Sequence, residues 1–258
     1  MLNFRHINII SILILAVLVL LKIESIVSVG WIVLLIFLWL IITIFGSFQM
    51  RWNYFIKAKH SNWAVNEDDI ALTFDDGPNE KYTPRILELL KKYNSKATFF
   101  CIGKNIEKYP DLFLQIINEG HTVGNHSYGH KNKFGFLSTK NVYNDIELAQ
   151  KIVKRNYHIE MKLFRPPFGV TNPNIAKAVN SLKLQTMGWS IRSLDTIAKD
   201  PETVVKRITS KIRKGDVILM HDSSELSIVV LERLLVYLEN KKLKSITLNS
   251  LFNIKAYA

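Results

Sequence analysis

The chain has 258 residues, 48% of them aliphatic or aromatic, a single cysteine and a formal net charge of +12. That length holds one large domain with an appendage, and one cysteine excludes both an intramolecular disulfide and a cysteine-rich zinc site. The basic surplus reads either as a solvated surface or as attraction to an anionic partner such as membrane lipid or an acidic cell-wall polymer. It is scattered, as at Lys91-Lys92 and Lys241-Lys242, and no nucleic-acid-binding motif goes with it, so nucleic acid is not expected as a partner.

The apolar excess lies at the front. Ile7–Leu21 and Ser25–Met50 carry no charged residue. A helix needs roughly 20 apolar residues to cross the hydrocarbon core of a bilayer. The second run meets that length, and the first spans with help from its polar flanks. Trp31 and the stretch Trp52–Phe55 fall near the ends of the second run, where interfacial aromatics sit. No small-residue cleavage site follows the first run, so residues 1–50 read as a retained anchor of one or two transmembrane helices rather than a removed signal peptide. Orientation has two readings. Two spans, with Arg51, Lys57 and Lys59 after them and Lys22 between them, would place the main domain inside. A single span with its basic end inside would place it outside.

Residues 51–66 read as a juxtamembrane linker, 67–250 as the main domain and 251–258 as a tail. From Asp69 onward, strand and helix patterns alternate. Ile70–Phe74 is strand-like. Thr83-Pro84 opens a helix, with Thr as N-cap and Pro in the first position. Ala97–Ile102 is a strand, and its Cys101 reads as a small core thiol. A helix over Pro110–Glu119 stops at Gly120, and His121–Asn125 is a short strand. Ser138 caps a helix whose Val142, Ile146, Ala149 and Val153 share one face. Lys162–Arg165 is strand-like, and Asn172-Pro173 opens a helix. Leu184–Trp189 is a strand, followed by a helix from Asp200-Pro201. Val217–Met220, Glu225–Glu239 and Leu243–Leu248 complete the series as strand, helix and strand. About seven strand–helix steps predict an α/β fold with a parallel sheet. An open doubly wound sheet and a barrel both fit. Seven strands in so short a domain are too few for a regular eight-fold barrel, so a distorted or incomplete (β/α) barrel is expected.

The unusual polar residues fall at the carboxyl ends of these strands, the rim where such folds build active sites. Asp75 and Asp76 follow the first strand, His126 and His130 the third, Arg165-Pro-Pro-Phe-Gly169 the fourth, Asp195 the fifth and His221-Asp222 the sixth. Each alone has a plain structural reading. Asp-Asp-Gly-Pro is a common turn, Gly129 weakens a helix between the two histidines, and a lone histidine after a strand is often structural. Two adjacent carboxylates, however, repel unless a cation or a shared proton relieves them. An aspartate with two histidines would hold a divalent ion and leave positions open for water and substrate.

Five blocks together resemble the polysaccharide deacetylase family, the NodB homology domain of carbohydrate esterase family 4. They are TFDDGP (Thr73–Pro78), HSYGH (His126–His130), RPPFG (Arg165–Gly169), WSIRSLD (Trp189–Asp195) and ILMHD (Ile218–Asp222). The resemblance implies a distorted (β/α) barrel and a metal-dependent hydrolase that removes N-acetyl groups from N-acetylglucosamine-type glycans. It implies a divalent metal, most often zinc, on Asp76, His126 and His130, with Asp75 as general base and Arg165 orienting it. It further implies that the Phe168 N–H binds the oxyanion and that Leu219 lines the acetyl-methyl pocket. His221 would be the general acid, held by Asp195.

The fourth block departs from the family pattern Asp-x-x-Asp-Trp. Arg192 stands at its first aspartate and Thr196 at its tryptophan. That departure motivates an alternative, a catalytically silent membrane-held glycan-binding protein. The charge bias after Met50 motivates another, a cytoplasmic small-molecule amidase. A glycan deacetylase needs its polymer, which lies outside, so the expected location is the cell membrane with an extracytoplasmic catalytic domain. No feature specifies an oligomeric state.

Overall fold

The computed structural model describes residues 3–258. Helices α1 (Phe4–Ile23) and α2 (Gly30–Phe48) form a hairpin. By length and composition each suffices to cross a membrane, and 0% and 6% of their apolar windows are buried. A core helix of a soluble protein would be covered; these display their apolar side chains. The Trp39 indole N–H donates to Asn8 Oδ1 across the pair at 2.8 Å. The N–H of Phe4 donates to the Tyr54 carbonyl at 2.9 Å, so the start of the hairpin meets the chain that leaves it.

Beyond the hairpin come β1 (Ala58–Lys59), β2 (Asp69–Asp75), α3 (Thr83–Lys92), β3 (Ala97–Cys101), α4 (Gly103–Lys108) and α5 (Pro110–Asn118). Then follow β4 (Thr122–Asn125), α6 (Thr139–Tyr157), β5 (Leu163–Phe164), α7 (Pro173–Ser181) and β6 (Gln185–Met187). The chain ends with β7 (Ile191–Arg192), α8 (Pro201–Thr209), β8 (Val217–His221), α9 (Glu225–Asn240), β9 (Lys244–Ser245) and α10 (Leu248–Phe252). Ser138, Asn172 and Asp200 cap α6, α7 and α8 as their sequences predict. Thr83 does not cap α3. It lies inside the first turn, because its buried hydroxyl is drawn inward to donate to the Asp222 carboxylate.

The strands form one parallel sheet in the order β1-β6-β5-β4-β3-β2-β8-β7, with β9 pairing the start of β2. All seven expected strands are present. The two additions, β1 and β7, are two residues each, too short to leave an alternating pattern. Along β2 the period of two separates two cores. Ile70, Leu72 and Phe74 join the large cluster under the helices, with Ile86 and Leu231. Ala71 packs inward with Phe100, Leu163, Met187 and Val217. β6 and β7 lie at opposite flanks of the strand order, yet only residues 188–190 join them. Consecutive Cα atoms are about 3.8 Å apart, so the sheet must curl until its flanks nearly meet. The result is a distorted (β/α) barrel with a seam. The Gly188 N–H donates to Lys59 O at 2.7 Å on one side of it, and the Ser190 N–H donates to Val217 O at 2.9 Å on the other.

The segment read as a linker thus supplies β1. The stretch read as a tail packs down: Leu251 and Ala256 are buried, and the Tyr257 hydroxyl accepts the Val123 N–H at 2.9 Å. Cys101 is a buried core thiol, and burial pushes its pKa well up.

Candidate metal centre and acid–base rim

Asp75 and Asp76 end β2 and point different ways. Asp75 faces the barrel interior and is buried. Asp76 has a left-handed backbone, φ 81°, which turns its carboxylate toward the open rim. The Asn105 side-chain amide secures this turn by donating to Asp76 O at 2.7 Å. Gly77 follows because no side chain fits: a Cβ there would lie 2.0 Å from Asp222 Oδ2.

His126 leaves β4, and its Nδ1 lies 2.8 Å from the Arg165 carbonyl. That contact, with Nδ1–H donating, leaves Nε2 as a lone-pair donor for a metal. His130 closes a turn held by Asp145, whose carboxylate accepts the N–H groups of Tyr128 and Gly129 at 3.0 and 3.2 Å. His130 itself has φ 43°, so the turn is no helix and Gly129 serves the loop. Nε2 of His126 lies 3.5 Å and Nε2 of His130 3.3 Å from Asp76 Oδ1. The three ligand atoms all lie within 4.8 Å of one another. Asp76 Oδ1 is buried without a hydrogen-bond partner, a costly state for a carboxylate oxygen unless a cation meets it. Burial pushes the Asp76 pKa up, but His126, His130 and His221 outweigh it and hold the group at about 2. The donor set of one anionic oxygen and two imidazoles fits a divalent metal.

On one side of this triad stands a buried ion pair. Arg165 is fully buried and reaches along the barrel interior. Its Nη1 donates to Asp75 Oδ1 at 2.7 Å and to Thr73 Oγ1 at 2.8 Å. Its Nε and Nη2 donate to the carbonyls of Met187 and Gly188, and its guanidinium lies 4.1 Å from the Phe100 ring centroid. Burial lowers the Arg165 pKa, and Asp75 counters it. On the other side, His221 Nδ1 lies 2.8 Å from Asp195 Oδ1. Burial alone would lower the His221 pKa, but Asp195 raises it above the ordinary value. Asp195 lies three residues past β7, not directly after the strand expected at Leu184–Trp189, which ends at Met187. Its carboxylate also accepts from the His221 N–H, Ser193 Oγ and Ser227 Oγ.

The Phe168 ring lies 4.6 Å from His130, on a left-handed residue at φ 60°. Gly169 is at φ 68°, and a Cβ there would lie 2.4 Å from the Trp189 ring. Leu219 is buried on β8, opposite Thr73 in register and two residues before His221 on the same face. All nine sequence-derived site residues therefore meet at one end of the barrel. Not foreseen were Thr73, Asn105, Asp145, Ser193 and Ser227. The two carboxylates alone predict that such donors exist, without saying where. Thr73 and Ser193 lie inside blocks already singled out.

The family model described as polysaccharide deacetylase matches residues 63–187. A peptidoglycan-N-acetylglucosamine deacetylase of Bacillus cereus is 34% identical over 191 residues, 72% of this chain and 69% of the relative. This chain belongs to the polysaccharide deacetylase family. Among solved structures, a peptidoglycan N-acetylglucosamine deacetylase in complex with 4-naphthalen-1-yl-N-oxidanyl-benzamide matches with TM-score 0.72 and 32% identity, over 78% of this chain and 94% of that one. A carbohydrate esterase family 4 pseudoenzyme from Bacillus anthracis matches with TM-score 0.66 and 26% identity, over 72% and 66%. The fold is thus shared by proteins named as deacetylases and by one named as a pseudoenzyme, and the side chains must decide between them.

Proposed function

We propose that this family member is a membrane-held, metal-dependent N-deacetylase of N-acetylglucosamine-type glycans, with peptidoglycan and chitin-like oligomers as the substrate class. The reading is carried by the buried, partnerless Asp76 oxygen among two imidazoles, with a paired base on one side and a paired acid on the other. A divalent ion, most simply Zn2+, held by Asp76, His126 and His130 would supply Lewis acidity, acidifying a water and polarising the acetamide carbonyl. Asp75 takes the proton of the attacking water, and Arg165 orients that carboxylate. The Phe168 N–H stabilises charge on the carbonyl oxygen, and Leu219 packs against the acetyl methyl. His221 protonates the departing amine. Its proton is retained because Asp195 accepts from Nδ1 and favours the charged ring.

The domain assignment follows: anchor 1–50, a short connection from 51 that joins the barrel at β1, and a catalytic barrel running to the packed C-terminus. The substrate argument places the barrel on the extracytoplasmic side. A cysteine introduced at Lys241 in a Cys101→Ser background tests this; labelling by a membrane-impermeant maleimide in intact cells supports it, and protection overturns it. The silent-binder alternative draws on Arg192, Thr196 and the pseudoenzyme relative, but the complete acid–base set favours turnover. The deciding assay is acetate release by the full chain in detergent, with peptidoglycan and chitin oligomers, with and without chelator, beside Asp75→Asn. Chelator-sensitive release lost in the variant supports the enzyme. Saturable glycan binding with no release in metal-loaded protein overturns it.

A further inference from the structure

Arg192, the departure in the fourth block, does not line the metal centre. It lines two adjoining cavities at the barrel seam, of about 250 and 120 Å³, together with Arg51, Arg207 and Trp189. Lys211 adds a fourth cation to the smaller one. No carboxylate lines either cavity, and none of these four cations belongs to a salt bridge among the described residues. Two of them are fixed: Arg207 Nε donates to Arg192 O at 2.9 Å and Arg51 Nη1 donates to Ser190 O at 3.3 Å. Like charges gathered this way repel, and an anion relieves them. Guanidinium groups suit phosphate oxygens in particular.

The cavity's position narrows the anion's source. The larger of the two, which Lys211 does not line, has Phe48 and Met50 in its wall, at and just past the end of α2. The same end of α2 touches the catalytic rim, where the Thr171 N–H donates to Ser47 O at 2.9 Å, two residues beyond the Gly169 turn. Rim loops expose apolar tips on this face: Phe136 is 90%, Phe168 48% and Ile197 73% exposed. Trp189 is common to cavity and active site, with its ring 5.6 Å from the Arg165 guanidinium, and Leu194 of the cavity wall precedes Asp195.

Building on the membrane-held deacetylase reading, we propose that the seam cavity binds the phosphate group of a membrane lipid, with Arg51, Arg192, Arg207 and Lys211 as its ligands, beside the deacetylase centre. Two sources carry that chemistry: a phospholipid headgroup, or the phosphate linking an N-acetylated sugar to a lipid carrier. In the second case the phosphate positions the sugar for deacetylation at the bilayer surface.

The test uses the full chain in phosphatidylcholine nanodiscs, with binding read by native mass spectrometry. The probes are phosphatidylglycerol and a short polyprenyl-pyrophosphate N-acetylglucosamine. Loss of one charge-assisted contact weakens binding roughly tenfold or more, so Arg192→Ala and Lys211→Ala each lower retention by that order. Arg192→Lys retains most of it, and Lys241→Ala at the far end of α9 changes nothing. Among the described residues neither the Arg192 nor the Lys211 side chain makes a hydrogen bond that holds the fold, and melting curves check this. Competition sorts the sources: retention of the lipid-linked sugar in excess phosphatidylglycerol marks a substrate site, and its displacement marks a headgroup site. Equal binding by wild type, Arg192→Ala and Lys211→Ala overturns the proposal. Acetate release from a neutral soluble chitin oligomer needs no phosphate, so it reports separately on the deacetylase reading.

Discussion

The two flanks of the metal triad handle buried charge in opposite ways. On the β2 flank, Asp75 and Arg165 face each other at 2.7 Å with side chains 6% and 0% exposed, and among the described residues Asp75 is the only carboxylate paired with that guanidinium. On the β8 flank, the Asp195 carboxylate has four donors: the ring and the N–H of His221, and the hydroxyls of Ser193 and Ser227. The first flank ties proposed chemistry to folding, because its base is also the counterion of a fully buried cation. The second separates them, because Asp195 keeps three donors when the ring is removed.

Breaking each flank sharpens the contrast. Asp75→Asn is expected to have the largest effect. Acetate release falls by about 10³-fold, within the usual range for an acid–base group. Stability also falls, by about 3–5 kcal/mol, as Arg165 is left without its counterion. Urea unfolding at pH 7 beside the activity assay checks both, and an unchanged unfolding midpoint would sink the claim that this pair supports the barrel wall. His221→Ala is expected to lower turnover by about 10²-fold or more with a smaller fall in the unfolding midpoint than Asp75→Asn, and a fall in midpoint as large as that of Asp75→Asn would erase the distinction between the flanks.

Asp195→Asn has a smaller effect, visible in its pH dependence. Asp195 raises the His221 pKa, so the acid form of the ring persists to higher pH in the native protein. Replacing the carboxylate removes that support, and the alkaline limb of the kcat profile moves to lower pH. The stability sign follows. The raised His221 pKa gives a contribution fully present below the ordinary histidine value and lost as pH rises through the raised one. The lowered Asp195 pKa gives one present above the ordinary carboxylate value and lost as pH falls through the lowered one. An alkaline limb that stays in place in Asp195→Asn would contradict the pairing. Ser227→Ala is the smallest change, about 1 kcal/mol for one hydrogen bond, read as a small drop in the unfolding midpoint with turnover kept within a few-fold.

Much of the rim was legible because catalytic strand ends interrupt apolar runs with charge. Asp75-Asp76, His126, His130, Arg165 and His221 are conspicuous for that reason alone. The supporting groups were not, since a threonine in a strand or a serine at a helix start has the same local reading whether it faces solvent or a buried carboxylate. Thr83 illustrates this: beside Pro84 it has the pattern of an N-cap, but the tertiary pull of Asp222 takes its hydroxyl elsewhere. β1 and β7 escaped for a related reason, as two-residue strands draw their identity from a neighbour's backbone and not from their own side chains.

The family resemblance supplied Phe168 and Leu219; by itself the sequence determined the apolar front end, the alternation of strand and helix, and the other seven rim residues. These follow from local spacing and from chemistry that has few other uses. Only the tertiary structure decided that the sheet curls to a seam, that Arg165 crosses the interior to Asp75, and that Arg51, Arg192, Arg207 and Lys211 share one cavity. Arg165 is far in the chain from Asp75, and Arg51 from Arg192, Arg207 and Lys211, and the tertiary fold is what brings them together.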